Sequence, residues 1–313
     1  MAADPGRTRI TRELIFAAFA GPSTETDDPR LLEKLSADVE AETVGPGHVL
    51  FREGEESTYV HFMSEGRMRL TCPDQPDWIY DGRWVVGTTD VLLGRPRART
   101  AVMETEARLF RLPAARWFEV MDHRPEVLVN ALIGFARSIT GLYVRLAPDG
   151  GFAPAAGEAE TVDVARLAGR TRLLASLALL RGMPMQSIVE LADLAECQDL
   201  EPEAVLFSAG ASPGRVFVVT RGHVEARHAD PEVRAVFGPG TIVGGAVSLG
   251  DMGAEWSARA LDRAQVLSFS TGDLFDHIED HQEALRAAMA AFALERERAC
   301  DVLASRLGEL VLA

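Results

Sequence analysis

The chain has 313 residues, 47% of them hydrophobic and 25% charged, with a formal net charge of −15. That length holds two ordinary domains, and the mix is that of a globular chain rather than a disordered one. The acidic excess argues against a nucleic-acid-binding protein, which needs a basic face to release counterions, and no sufficiently long basic patch interrupts it. At the N-terminus, Met1-Ala2-Ala3-Asp4-Pro5-Gly6-Arg7 lacks the apolar core of a signal peptide. No apolar run reaches the roughly 18 residues of a membrane span. The expectation is a cytoplasmic chain with no membrane partner. Residues 11–20 have the spacing of a short amphipathic helix stopped by Gly21-Pro22, and a polar connector runs to Arg30, so residues 1–30 read as a helical extension.

From Leu31 to Val39 the spacing is helical, with Leu31, Leu32 and Leu35 on one side. The rhythm then changes to short strands between glycine turns: Val49–Phe51, Tyr59–Met63, Met68–Thr71 and Trp78–Val86, with turns at Glu53-Gly54-Glu55 and Glu65-Gly66. Thr100–Thr105 and Arg108–Leu112 read as two more strands. Pro113 opens a helix with Trp117, Phe118 and Met121 on its apolar face, and a longer helix runs from about Pro125 to Leu146. Such a run of short strands implies a small antiparallel barrel or jelly roll.

Residues 147–160 are rich in Pro, Gly and Ala and read as a linker. Helical patterns follow over Val164–Leu180 and Met185–Glu196. Then the first half returns. Pro46-Gly47-His48-Val49-Leu50-Phe51 is echoed by Pro202-Glu203-Ala204-Val205-Leu206-Phe207, Ser64-Glu65-Gly66 by Thr220-Arg221-Gly222, and Val86-Gly87 by Val243-Gly244. Thr100-Ala101 is echoed by Ser257-Ala258 and Trp117-Phe118 by Leu274-Phe275, with the offset one residue longer from Val86 onward. This is a tandem duplication. The chain closes on a helical stretch from Glu283 to about Leu310. Cys72, Cys197 and Cys300 are scattered with no CxxC pair, which fits a reducing compartment and excludes a disulfide framework. Lys34 is the only lysine, a bias that fits a GC-rich, bacterial coding sequence.

The stretch from Val86 to Ala101 carries the most chemistry. It is a glycine turn, one apolar helical turn, and a Gly94-Arg95-Pro96-Arg97-Ala98-Arg99-Thr100 loop that enters a strand. Backbone N–H groups at such a turn attract anions, and a guanidinium at Arg97 can close on a phosphate. Gly87, Pro96, Arg97 and Thr100 resemble, in type and spacing, the phosphate-binding cassette of cyclic nucleotide-binding domains. Two positions depart: Thr88 stands where the family has its ribose-binding Glu, and Arg99 where a small residue is usual. The loss of a charge-assisted bond at Thr88 weakens ribose recognition by roughly 1.5–3 kcal/mol. In extended chain Arg95, Arg97 and Arg99 would share a face, either as a wider anion site or as a solvated edge.

The resemblance covers roughly 31–146 and 185–300 and implies a mainly β (α+β) fold of two tandem jelly rolls with flanking helices. The expected domains are 31–146 and 161–313, joined by the 147–160 linker. The implied ligand-binding residues are Gly87, Thr88, Thr89, Arg97, Ala98, Arg99 and Thr100, and the implied ligand is cyclic AMP or cyclic GMP. In the second cassette Gly245 occupies the Glu position and Ala254 the Arg position, beside Glu255 and Trp256, so no phosphate site is expected there. His277 and His281 are spaced i,i+4 and could grip a metal, but no third ligand is evident in sequence, and no metal is expected.

No nucleophile elbow, P-loop or kinase motif is present, so the expectation is a non-enzymatic regulatory or scaffold protein. The alternative is an assembly component that binds no nucleotide. The tandem layout resembles regulatory subunits of cyclic-nucleotide-dependent kinases, without an Arg-Arg-x-Ser/Ala segment. A DNA-binding regulator is disfavoured by the charge and by the short stretch after the second barrel. The protein partner is open, and Leu285, Met289, Phe292 and Leu303 are candidate contacts of a homodimer built on the C-terminal helix.

Overall fold

The computed structural model describes residues 38–123, 125–146, 162–210, 213–230, 233–250 and 255–312. The expected helical extension 1–30, all but the end of the helix expected at 31–39, and the 147–160 linker lie outside the described residues.

The first half builds β1 (Glu40–Val44), β2 (Val49–Phe51), β3 (Tyr59–Glu65), β4 (Arg67–Cys72), β5 (Gln75–Asp81) and β6 (Trp84–Val86). A five-residue helix α1 (Thr88–Leu92) precedes β7 (Thr100–Met103) and β8 (Ala107–Pro113). Helices α2 (Ala114–His123) and α3 (Pro125–Leu146) follow. The period-two alternation expected of half-buried strands is plain in β4, where Met68 and Leu70 are buried while Arg67 and Arg69 face outward. Those two arginines are tied by Glu104, which takes Arg67 Nε at 2.9 Å and Arg69 Nε at 2.5 Å. The expected strand Trp78–Val86 is instead two strands, because Gly82 turns the chain with a φ of +87°.

The second half begins with α4 (Leu167–Ser176), a 3₁₀ turn (Ala178–Leu180) and α5 (Met185–Leu194). It continues with β9 (Glu196–Leu200), β10 (Val205–Phe207), β11 (Arg215–Arg221), β12 (Val224–His228), β13 (Arg234–Phe237) and β14 (Ile242–Val243). Next come α6 (Gly245–Leu249), β15 (Trp256–Ala260), β16 (Ala264–Ser270), α7 (Thr271–Asp280) and α8 (Gln282–Leu307). The chain ends in β17 (Glu309–Leu312), where Gly308, with a φ of +85°, stops the helix that the sequence carried on to about Leu310.

The duplication is visible in the topology. Sheet order β1-β8-β3-β6 in the first half matches β9-β16-β11-β14 in the second, and β5-β4-β7-β2 matches β13-β12-β15-β10. Each half is a β jelly roll with flanking helices. The extra residue in the repeat lies in one hairpin: Met68 pairs with Tyr80 across β4–β5, whereas Val224 pairs with Phe237 across β12–β13. Buried apolar side chains from both sheets of the second roll, among them Phe207, Phe217, Val224, Phe237 and Trp256, form one core.

Two compact units result. One contains the described residues up to Ala131 together with those from Cys300 onward; the other spans Leu132–Ala299. This differs from the division expected at the linker, for two reasons. Within the second unit, α3 bonds to its own partners: Arg137 Nε donates to the Gly250 carbonyl at 2.8 Å, and the Tyr143 hydroxyl to Glu295 at 2.7 Å. Within the first unit, β17 runs parallel to β5 and adds a fifth strand to its sheet, with Leu310 opposite Trp78.

Leu285, Met289, Phe292 and Leu303 are each at most 5% exposed. They are core residues of this chain, so they are not the contact surface expected for a homodimer.

Candidate functional site

The first cassette is assembled from three segments. Gly87 caps α1 with φ +82° and ψ +5°, the left-handed region that glycine enters without steric cost. The first amides of the helix, at Thr88, Thr89 and Asp90, have no intrahelical acceptor by construction. The 52–55 turn then fixes the other wall. Arg97 N–H donates to the Glu55 carbonyl at 2.8 Å, Gly54 N–H to the Arg97 carbonyl at 2.9 Å, and Glu53 N–H to Thr100 Oγ1 at 3.0 Å. This clamp aims Arg97 inward.

The Arg97 guanidinium sits against the Gly87 turn and is only 3% exposed. Its Nη1 donates to the Gly87 carbonyl at 2.9 Å, its Nη2 donates to the Tyr59 carbonyl, and its Cζ lies 4.4 Å from the Phe51 ring centroid. Its Nε–H is buried with no partner. A guanidinium has five N–H donors, so this one retains capacity for an oxyanion. Burial lowers its pKa from the ordinary arginine value, while the Asp90 and Glu55 carboxylates pull the other way from a distance. It has no ion-pair partner among the described residues. Asp90, the natural candidate, is occupied by Arg95 Nε at 2.8 Å.

The three alternating arginines do not converge. Arg95 pairs with Asp90, and Arg99 turns to the opposite side. There Arg99 Nη2 donates to Asp301 and to Gln75 Oε1, both at 2.7 Å, and Nη1 to the Pro76 carbonyl at 3.0 Å. The Arg99 Cζ also sits 4.1 Å from the Trp78 ring centroid. Thus Gly87, Thr88, Thr89, Arg97 and Thr100 are gathered round the cassette, Ala98 is a half-buried spacer, and Arg99 is a strut to the C-terminal segment.

The second cassette keeps the frame and loses the cation. Gly244 caps α6 with φ +76°, as Gly87 does for α1. The carbonyl equivalent to Tyr59 is that of Arg215, and it accepts the Ser248 hydroxyl at 2.7 Å. Beside α6 lies a cavity of about 80 Å³ lined by Phe207, Phe237, Ile242, Val247, Trp256 and neighbours, with no cation among the described residues of its wall. Its main ionisable pair is the Tyr143 hydroxyl on Glu295, and burial raises the Tyr143 pKa well above the ordinary value. Arg259, the nearest arginine in sequence to the missing position, pairs instead with Glu203 and Glu225.

The family model of the cyclic nucleotide-binding domain matches residues 41–124 and 197–281, more than half of the chain. The chain belongs to the cyclic nucleotide-binding domain family. It carries two such domains in tandem. No curated protein matches it. Among solved structures it is similar to the regulatory domain of Toxoplasma gondii PKA with cAMP, at 13% identity and a TM-score of 0.34, over 91% of this chain and 95% of that one. It is similar to the regulatory subunit of a cAMP-independent protein kinase A from Trypanosoma cruzi bound to guanosine, at 12% identity and a TM-score of 0.35, over 91% and 93%. It is also similar to the N-terminal domain of a Streptomyces coelicolor transcriptional regulator, at 24% identity and a TM-score of 0.35, over 40% and 93%. No helix among the described residues is long and apolar enough to cross a membrane.

One residue of the first cyclic nucleotide-binding domain escaped sequence reasoning. His61, on β3, is 7% exposed and packs between the Phe51 and Tyr59 rings, at centroid distances of 5.7 and 6.3 Å. Burial, then the Arg97 and Arg111 charges, lower its pKa to about 3, so it is a neutral imidazole beside the cassette cation. A polar residue among the apolar positions of β3 was the one signal for it.

Proposed function

We propose that the chain is a regulatory, non-catalytic protein whose first cyclic nucleotide-binding domain captures a cyclic nucleotide, cyclic AMP or cyclic GMP, by its phosphate at Arg97. The second domain then serves as a protein-interaction module. The observation that carries this reading is the state of Arg97. It is a desolvated cation at a glycine turn, lacking a carboxylate partner among the described residues and holding a free buried donor. A cation in that setting is completed by an anion. The amides of α1 supply further donors on the same side. Thr88 at the ribose position makes affinity modest. The three free thiols, Cys72, Cys197 and Cys300, suit a reducing, cytoplasmic setting.

Calorimetric titration with cyclic AMP, cyclic GMP and cyclic dinucleotides tests this reading. The proposal expects saturable heat that is lost in Arg97→Ala, and an affinity about ten-fold or more higher in Thr88→Glu. Absence of heat and of thermal stabilisation at millimolar ligand removes the sensor reading. Binding that survives Arg97→Ala places the site elsewhere. A second reading has its own support: two Arg97 donors already close on the Gly87 and Tyr59 carbonyls. In that reading the arginine is a structural bolt and the protein an assembly component.

A further inference from the structure

Outside both cassettes, the helices flanking the second jelly roll bring together three ligating side chains. Glu190 lies on α5, His277 on α7, and His281 is the single residue between α7 and α8. Their ligating atoms all lie within 4.8 Å of one another. Glu190 Oε2 is 3.4 Å from His277 Nδ1 and 3.6 Å from His281 Nε2. A tetrahedral ion with bonds of about 2.0–2.2 Å separates its ligand atoms by about 3.3–3.6 Å. Two edges of the triangle already have that length. The third lies between imidazoles stacked at a centroid distance of 4.5 Å, and the half-exposed His281 ring closes it by a small rotation.

The hydrogen bonding sets the tautomer a metal needs. His281 Nδ1 lies 2.9 Å from the His277 carbonyl oxygen. A carbonyl only accepts, so Nδ1 carries a proton, and Nε2 is the nitrogen that faces Glu190. A backbone carbonyl holding the far nitrogen of a ligating histidine is the usual supporting arrangement in metal sites. Between Nε2 and the Glu190 carboxylate a cation has to stand, and a metal ion and a second proton are the two candidates. The His277 side chain is 6% exposed, whereas Glu190 and His281 are 37% and 39% exposed. One wall is therefore dry, and the open side admits an ion and a water as fourth ligand.

We infer that Glu190, His277 and His281 form a divalent transition-metal site of the zinc class. Two imidazoles and one carboxylate suit Zn²⁺ and its neighbours rather than Mg²⁺ or Ca²⁺. The ion ties α5, which precedes the roll, to α7 and the start of α8, which follow it.

The test uses the full chain, stripped with chelator, with the accessible thiols Cys72 and Cys197 alkylated so that they do not compete. Titration with ZnCl₂ is expected to show one ion per chain and a rise in Tm. Co²⁺ is expected to give the intense visible bands of a tetrahedral complex. His281→Ala and Glu190→Gln, both at half-exposed positions that should not disturb folding, are each expected to lower affinity at least ten-fold and abolish the Tm rise. No stoichiometric binding, or equal affinity in the His281→Ala/Glu190→Gln double variant, overturns the site and leaves a proton-bridged cluster.

Discussion

The carbonyl oxygen of Tyr59 is bonded by Arg97, and its counterpart in the second domain, that of Arg215, by Ser248. One position at the mouth of each roll therefore needs a donor, and the two domains meet that need differently. The serine hydroxyl satisfies the carbonyl and carries no charge. The arginine satisfies it and also places a cation at the glycine turn. Arg97→Ala should then cost stability as well as any ligand binding, about 1–3 kcal/mol for the carbonyl left buried, measured as a lower urea midpoint without ligand. An unchanged midpoint would mean that water replaces the guanidinium freely. His61 offers a second measurement. Its folded pKa of about 3 lies below the ordinary 6.5, so below pH 6.5 the unfolded chain binds a proton that the folded chain refuses. Its contribution to stability is present above pH 6.5 and is lost as pH falls toward 3, by about 1.4 kcal/mol per pH unit. Phe217 fills the equivalent place on β11, which makes His61→Phe the natural variant. Its stability should fall less than the parent's between pH 7 and pH 5 in urea titrations. Equal losses would show that His61 is not held neutral.

At the scale of elements, the cassette depends on α1 starting where it does. A Cβ on Gly87 would stand 2.2 Å from Arg97 Nη1, and the φ of +82° is strained for any L side chain. Gly94 also has positive φ, +59°, but nothing lies within 4 Å of its would-be Cβ. Gly87→Ala should therefore destabilise more than Gly94→Ala, whose cost is the backbone term alone, about 1–2 kcal/mol. Only Gly87→Ala should also abolish ligand heat, because the guanidinium must leave. Comparable losses in the two variants would show that Arg97 moves aside cheaply. These helices and strands were legible to the extent that their side chains follow a period. The strand at Met68 alternates as its burial does, the strand at Tyr59 shows as an apolar run because it is buried from Val60 to Met63, and the helix ending at Leu146 buries Leu132, Ala136, Ile139, Leu142 and Leu146 at helical spacing. Strands β1 and β9 were not legible, because each is exposed along its length except for its last residue, Val44 or Leu200, and so carries no apolar rhythm. At the candidate sites, the Gly87–Arg97 pair was legible from spacing. The turn of Arg97 toward the cassette and of Arg99 to the opposite, equally buried side depend on tertiary acceptors, the Tyr59 carbonyl and Asp301, that no local pattern reveals. Glu190 was hidden for the same reason: it meets His277 and His281 only when α5 packs on α7.

At the scale of the whole molecule, the sequence places the C-terminal stretch with the second domain, and the fold places it with the first. The reason is pairing. β17 gives the β5 edge of the first roll a partner, which removes an exposed strand edge from the sheet. Leu310 and Leu312 are 0% and 6% exposed there. Asp301 meets Arg99 at 2.7 Å and Glu309 meets Arg69 at 3.3 Å. Burial raises the Asp301 pKa from its ordinary value, with Arg99 working against the rise, so this pair is partly desolvated. Arg99 is two residues from Arg97, so the same short segment carries the cassette cation and the strut to the chain end. Leu310→Ala should cost about 2–5 kcal/mol, the range for a fully buried leucine, whereas Leu307→Ala, at a residue 57% exposed, should be near neutral. Ending the chain at Leu307 should go further. Hydrogen exchange should accelerate at the β5 amides, while protection in β11 and β16 of the second unit stays as it was. If β5 keeps its protection without residues 308–313, the last strand is an ornament of the first roll rather than part of it.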